Sequence, residues 1–450
     1  MKTLKELAYE IKAQFDGEDS TFNGFSIDTR TINQGEMFAA IKGEKVDGHD
    51  FIDVAEKNGA TSLLVNKKID SNLSQIIVPD VRLALGEISS IWRAQFLMPV
   101  IAITGSCGKT TTKEMLGSIL NLKAKTLVTQ GNLNNDYGVP LTLSKLNKNH
   151  QYAVIEAGSN HLGEIPYLAN IIKPDISIIT NVQAAHLEGF GSLDKTMIEK
   201  GALFDCLAEN QLAVINLDDQ RIKAFSEKLK CKKIYFSMIN KKADIYLANE
   251  PKIINQQLCF DVSVNNKELP IKLNLWGKHQ IANALAVIAV CDYLSIEHQL
   301  IQKGLENLKP VKGRFVPIEY TKNIYLIDDT YNASVPAMKA SIETVAELKG
   351  KRICALGHMG ELGDKQYDYH YEIGKHLTEQ KLDEVYLYGN YDLLKEIIKA
   401  YPRARYFENQ RDLVNHLKTY FDQNQSDKIF VLLKGSRATE MEHVIEGLFS

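Results

Sequence analysis

The sequence predicts a three-domain α/β protein, and three observations carry that prediction. At 450 residues the chain exceeds what a single hydrophobic core serves, so two or three domains are expected. Short apolar runs alternate with stretches of helical periodicity, the pattern of mainly parallel sheets covered by helices. The alternation restarts twice, which divides the chain into 1–80, 81–312 and 313–450.

In the first segment, MKTLKELAYEIKAQF reads as an amphipathic helix. Its acidic Glu6 and Glu10 stand where a secretory signal would be apolar. Apolar runs at 37–41 (MFAAI), 62–65 (SLLV) and 76–78 (IIV), separated by turn residues, make a small α/β unit. From Val81 to Phe96, Leu83, Leu85, Ile88, Ile91 and Trp92 recur at helical spacing and lead into the second domain.

There VIAIT (100–104) ends in a glycine loop, with a helix expected from about Thr111. AVIEA (153–157), ISIIT (176–180) and LAVIN (212–216) are further strands of a mainly parallel sheet, and such sheets collect ligands at the carboxyl ends of their strands. The third segment repeats the pattern with IYLID (324–328), RICAL (352–356), EVYLY (384–388) and IFVLL (429–433), a Rossmann-like arrangement. KPVKGR (309–314), with Pro310 and Gly313, is the expected hinge before it.

Composition excludes several classes. Lys plus Arg number 53 and Asp plus Glu 56, a formal net charge of −3, which supplies no field for nucleic acid or an anionic membrane. No apolar run approaches the roughly 20 residues that span a bilayer. The six cysteines are scattered, without CxxC or metal spacing, and read as reduced thiols of a cytoplasmic protein.

The strongest local signal is GSCGKTT, that is Gly105, Ser106, Cys107, Gly108, Lys109, Thr110 and Thr111, between a strand and a helix. Glycines let backbone N–H groups curl around phosphate oxygens, the helix N-terminus adds positive potential, and Lys109 reaches the terminal phosphates. Thr110 is placed to offer its hydroxyl to Mg²⁺. Two residues separate the glycines where the common P-loop has four, but a plain strand-to-helix turn does not explain Gly-Lys-Thr-Thr. Hence the central domain is P-loop ATPase-like. Glu156 ends the strand YAVIEAG, where a carboxylate faces a ligand and suits magnesium, which prefers oxygen donors. Taken singly, His186 reads as a structural hydrogen-bonder, Lys200 as a solvated helix lysine and Asn283 as a packing residue.

Together these positions form a family pattern. TGSCGKTTTKE, EAGSNHLGEI, NVQAAHLEGFGS, GKHQIANALA, VKGRF and DDTYNAS resemble, in order, the motifs of the bacterial Mur ligase family, the amide-forming enzymes of peptidoglycan precursor synthesis. QGNLNNDYGVPLTL (130–143), LGHMGELGD (356–364), LLKGSRATEM (432–441) and the N-terminal SIDTRTINQGEMFAAIKGEKVDGHDFI (26–52) extend the resemblance over nearly the whole chain. They point to the activity that adds D-alanyl-D-alanine to UDP-N-acetylmuramoyl-tripeptide.

The resemblance implies that Lys109 and Thr110 serve ATP and a first magnesium ion, with Glu156 as a further ligand. His186 would help hold a second magnesium ion, and Lys200 matches a carbamylated lysine of the family. Asn283, Arg314 and Asp329 match nucleotide-contacting positions. Asn132, Asn134 and Asn135 would face the muramoyl peptide. Asp28, Thr29, Arg30 and the loop from Gly43 through Asp47 to His49 would hold the UDP-sugar, making 1–80 its binding domain. Lys434, Ser436 and Arg437 would lie near the incoming dipeptide. Ala202 and His358 stand where the family often carries an acidic residue. The expected protein is a monomer with neither nucleic acid nor membrane insertion. Its rivals are a sibling ligase or folylpolyglutamate synthase adding a single amino acid, and a P-loop switch NTPase.

Overall fold

The structure, a computed structural model, describes residues 2–43, 46–184, 187–254 and 257–450. Its strands form three sheets. The first holds, in spatial order, Gln14–Asp16, Ser74–Ile77, Ser62–Val65, Met37–Ala39 and Phe25–Ser26, and only Gln14–Asp16 is antiparallel. The leading helix is shorter than the sequence suggests. It spans Leu4–Glu10, opened by a capping box of Thr3 and Glu6. Lys12 then takes φ 55°, so Phe15 belongs to a strand and not to the helix.

Among the described residues, the central sheet has ten strands. Its parallel part runs Thr126–Val128, Tyr152–Glu156, Val100–Thr104, Ile176–Ile179, Leu212–Asn216, Lys232–Ser237 and Ile245–Leu247. From Val100–Thr104 the chain goes to the outer strand Thr126–Val128, comes back to Tyr152–Glu156 between them, and then crosses over to build the other side from Ile176–Ile179. That reversal opens a crevice at the carboxyl ends of these strands. Ile101 and Ile103 pack under helices Lys109–Lys123 and Lys278–Tyr293. Val100, Ala102 and Ile155 pack under Val81–Arg93 and Glu164–Ile172 on the other face.

Helix Val81–Arg93 does more than lead into the second domain. Its Trp92 sits 5.4 Å from the Phe22 ring, and its Nε1 donates to the Leu146 carbonyl at 3.3 Å. The first sheet's core, with Leu4, Leu7 and Phe25, is therefore continuous with the central core.

An antiparallel extension, Lys252–Ile254, Gln257–Val264 and Lys267–Leu273, was not foreseen. Its hairpin turn is Asn265–Asn266, both at positive φ (50° and 62°), the geometry that matches strand twist in a two-residue loop. Leu269, Ile271 and Leu273 are buried while the residues between them are exposed, the period-2 signal of a sheet with one wet face.

The third sheet runs Val316–Thr321, Ile324–Asp329, Ile429–Lys434, Lys351–Gly357, Glu384–Tyr388 and Arg405–Phe407, with only the first strand antiparallel. It is joined to the central sheet at more than the expected 309–314 hinge. Trp276 inserts among Tyr325 and Phe430 of the third core, and Lys278 pairs with Glu347 at 2.6 Å. Among the described residues, no helix is long and apolar enough to cross a membrane.

Candidate functional site

The glycine loop forms where the strand Val100–Thr104 runs out. Gly105 takes φ 147° and Gly108 φ 84°. A Cβ on Gly105 would lie 1.9 Å from Thr180 Oγ1, and one on Gly108 would lie 2.5 Å from Asn283 Oδ1, so both close approaches require glycine. Thr180 Oγ1 and Asn181 Nδ2 donate to the Cys107 carbonyl at 2.6 and 3.1 Å, and Asn181 Oδ1 accepts from the Cys107 N–H at 3.0 Å. These two braces lie just past the strand Ile176–Ile179 and were missed in the sequence, although Thr180 ends the run ISIIT and Asn181 opens the motif NVQAA. The helix begins at Lys109, two residues earlier than expected, and its first N–H groups have no helical partner.

The loop walls a cleft of about 940 Å³ between the central and third sheets. The cleft gathers Ser106 to Thr111, Asn132, Asn134, Asn135, Glu156, Asn283, Arg314, Asp329 and Lys434. Residues far apart in the sequence thus line one cleft. Lys109 Nζ donates to the Gly105 carbonyl at 2.7 Å. Burial pushes its pKa down, against the pull of Glu156.

Glu156 is 1% exposed. Its Oε1 accepts from Asn134 Nδ2 at 2.8 Å and from Thr110 Oγ1 at 3.3 Å, while its Oε2 has no hydrogen bond. An unsatisfied buried carboxylate oxygen is costly. Beside a threonine hydroxyl and a phosphate loop, it fits a hard divalent cation. Among the described residues, no three His, Cys, Asp or Glu side chains converge on a metal position, so phosphate and water would complete the shell.

Arg314 reaches Thr110 Oγ1 at 3.5 Å and lies 3.8 Å over the Tyr331 ring. Gly313, at φ 77°, leaves room for Tyr331, which a Cβ would approach to 3.0 Å. Asp329 and Lys434 face each other across adjacent parallel strands. Lys434 Nζ donates to Asp329 Oδ2 at 2.6 Å, as does Ser341 Oγ. His279, not singled out in the sequence, also lines the cleft. Burial pushes its pKa down to about 4, leaving a neutral imidazole with an unpaired Nδ1.

Other expected residues lie elsewhere. Ser436 and Arg437 are not in the cleft wall; Ser436 is buried, and Arg437 is exposed and paired with Glu442. Asp28, Thr29, Arg30, Gly43, Asp47 and His49 follow the carboxyl ends of the neighbouring parallel strands Phe25–Ser26 and Met37–Ala39, away from the cleft wall. There Arg30 bonds Asp28, holding that carboxyl below its usual range, and His49 Nδ1 pairs with Asp47 Oδ1 at 2.6 Å. His186 lies outside the described residues.

Lys200, on helix Leu193–Asp205, is 1% exposed, so it is not the solvated lysine it resembles when read singly. Its Nζ stands 5.1 Å from the Phe190 ring centre. Burial, then the charge of Lys109, pushes its pKa from 10.5 down to about 7.

Residues 21–93 match the "Mur ligase family, catalytic domain", 103–291 the "Mur ligase middle domain" and 313–437 the "Mur ligase, glutamate ligase domain". The UDP-N-acetylmuramoyl-tripeptide–D-alanyl-D-alanine ligase of Escherichia coli strain K12 is 37% identical over 446 residues, covering 99% of this chain and 98% of the relative. The chain belongs to the Mur ligase family. A crystal structure of MurF from Acinetobacter baumannii superposes on this Mur ligase with a TM-score of 0.91 at 33% identity, covering 99% and 98% of the two chains. MurF ligase from Thermotoga maritima in complex with ADP gives a TM-score of 0.85 at 30% identity, covering 94% and 96%. The three-domain α/β architecture of this Mur ligase is thus shared with solved ligases.

Gly108→Ala tests the loop of this Mur ligase directly. A left-handed non-glycine residue costs about 1–2 kcal/mol, and the added methyl meets Asn283. Nucleotide affinity should fall about tenfold or more with the protein still folded, as titration with a fluorescent ATP analogue would read. Unchanged affinity would show that the loop does not hold phosphate in this shape.

Proposed function

We propose that this Mur ligase is the ATP-dependent, ADP-forming ligase that joins D-alanyl-D-alanine to UDP-N-acetylmuramoyl-tripeptide in peptidoglycan precursor synthesis. The observation that carries this reading is one cleft holding a phosphate loop, a carboxylate with a free oxygen and an asparagine-rich loop bonded to that carboxylate. Full-length likeness to ligases of that name supports it.

A carboxylate resists amines at neutral pH because hydroxide is a poor leaving group. Transfer of the γ-phosphoryl group of ATP to the tripeptide's terminal carboxylate gives an acyl phosphate. The dipeptide amine then attacks its carbonyl and phosphate departs. Lys109, Arg314 and the helix start stabilise charge on the transferring group. Asn132, Asn134 and Asn135 orient the acceptor, while Asn283 and Asp329 position the nucleotide and Lys434 the dipeptide end. Ser436 and Arg437, off the cleft wall, contribute only if the third domain closes further. Asp28 to Arg30 and the Gly43–His49 loop hold the UDP-sugar. The domains, 1–80, 81–312 and 313–450, close to keep water from the acyl phosphate.

Thr110 and Glu156 would hold one magnesium ion, and His186 with a carbamate on Lys200 a second. Bound there, magnesium supplies charge neutralisation and alignment of the phosphates. A lysine titrating near pH 7 presents a neutral amine much of the time. That amine can add CO₂, forming an N–C bond and losing a proton. The enzyme acts as a monomer in the cytoplasm, with neither nucleic acid nor membrane partner.

The test is mass analysis of the product from purified protein, ATP, UDP-muramoyl-tripeptide and D-alanyl-D-alanine. A product joined by one amide bond, formed with ADP, supports the reading. Turnover with single amino acids or glutamate instead would favour a sibling ligase. Hydrolysis without an acceptor would favour an NTPase switch.

A further inference from the structure

The cleft sits against a buried lysine that the mechanism above leaves unused. Lys113 is one turn into the phosphate-loop helix Lys109–Lys123 and is 0% exposed. A lysine in that place would ordinarily extend to solvent. Its Nζ instead donates to the Thr129 carbonyl at 2.8 Å and the Gly131 carbonyl at 3.4 Å. It also pairs with Glu114 Oε1 at 2.8 Å and stands 3.9 Å from the unbonded Glu156 Oε2.

Thr129 and Gly131 bracket the start of the segment that carries Asn132, Asn134 and Asn135. Thr129 Oγ1 also accepts from the Glu156 N–H at 3.0 Å, and Asn134 returns to Glu156 Oε1 at 2.8 Å. One ammonium thus closes a ring of contacts through the phosphate-loop helix, the asparagine segment and the carboxylate at the end of Tyr152–Glu156. Gly131, at φ 54° with no heavy atom near a would-be Cβ, leaves the segment little packing of its own at that point.

We propose that Lys113 is a positioning residue that ties the asparagine segment to the phosphate-loop helix, so that the muramoyl-peptide subsite is held in register with the nucleotide subsite. The inference rests on the proposed function, because it takes the asparagine segment to face the muramoyl peptide. Lys113 touches neither substrate. It acts through the carbonyls of Thr129 and Gly131 and through the charge beside Glu156.

The experiment compares wild type, Lys113→Met, Lys113→Arg, Asn134→Ala and the double variant Lys113→Met/Asn134→Ala. Calorimetric binding of UDP-muramoyl-tripeptide without ATP and steady-state KM for each substrate are measured, with melting temperature alongside. Lys113→Met should weaken tripeptide binding and raise its KM about tenfold, with the KM for ATP moved less than about threefold. Lys113→Arg, which keeps a donor and a charge, should recover part of the loss. In the Asn134→Ala background the Lys113→Met effect should shrink, since both act on one segment. Equal rises in both KM values, or a lower melting temperature with unchanged tripeptide binding, would reduce Lys113 to a structural cation and overturn the inference. If Lys113→Met does not fold, Lys113→Arg carries the test alone: tripeptide binding indistinguishable from wild type in a variant with altered donor geometry overturns it. Failure of the wild type itself to bind the tripeptide would refute the functional reading instead.

Discussion

Lys109→Ala is expected to leave the protein folded and to lower kcat by about 10²–10³, the scale for removing one charge-stabilising donor from a phosphoryl-transfer site. The fold should survive because the side chain contributes little beyond bonds to carbonyls of its own loop, at 2.7 and 3.5 Å. Burial already disfavours its charge, so loss of the ammonium removes a desolvation cost along with those bonds. Turnover is different. The ammonium donates to the Gly105 carbonyl at the mouth of the loop, where the phosphate oxygens of a nucleotide would give it a charged partner. Circular dichroism and a melting curve check the fold, and coupled detection of ADP reads the rate. Near wild-type turnover in a folded variant would remove Lys109 from the phosphate clamp.

The sequence made the buried strands legible almost to the residue. Ser62–Val65, Val100–Thr104, Leu212–Asn216 and Glu384–Tyr388 coincide with their apolar runs, because burial on both faces leaves a continuous signal. The hairpin Gln257–Leu273 escaped, since one wet face dilutes its hydrophobicity. Local motifs single out the glycine loop, Glu156 and Arg314, which line one cleft. Pairings between distant segments could not be read locally. Asp329 and Lys434, 105 positions apart, were assigned to different ligands, yet strand register makes them one ion pair. Trp276 looks like an ordinary core residue of the central domain and turns out to plug the third. Lys113 and Lys200 have the helical context of solvated lysines; their burial depends on what the fold lays over them.

Lys200→Ala is the other variant expected to have a large effect: most activity should be lost, with added acetate or formate restoring part. The ordinary lysine value is 10.5, and burial with the nearby Lys109 brings Lys200 down to about 7. A depressed lysine means that the unfolded chain keeps its proton between those values while the fold has released it. Stability of the unmodified protein therefore rises with pH from about 7 towards 10.5, and the charged form is the destabilised one. Carbamylation relieves that burden differently, converting a buried amine into an anionic oxygen donor of the kind magnesium prefers. Wild type in CO₂-depleted buffer near pH 7 should thus lose activity and regain it with bicarbonate. Lys200→Met, which cannot be carbamylated and buries no charge, should be inactive with a melting temperature that no longer rises across that pH window. Full activity of Lys200→Ala without added acid would make Lys200 a packing residue. Loss of activity with no rescue by any small carboxylate, and no response of the wild type to CO₂, would remove the carbamate.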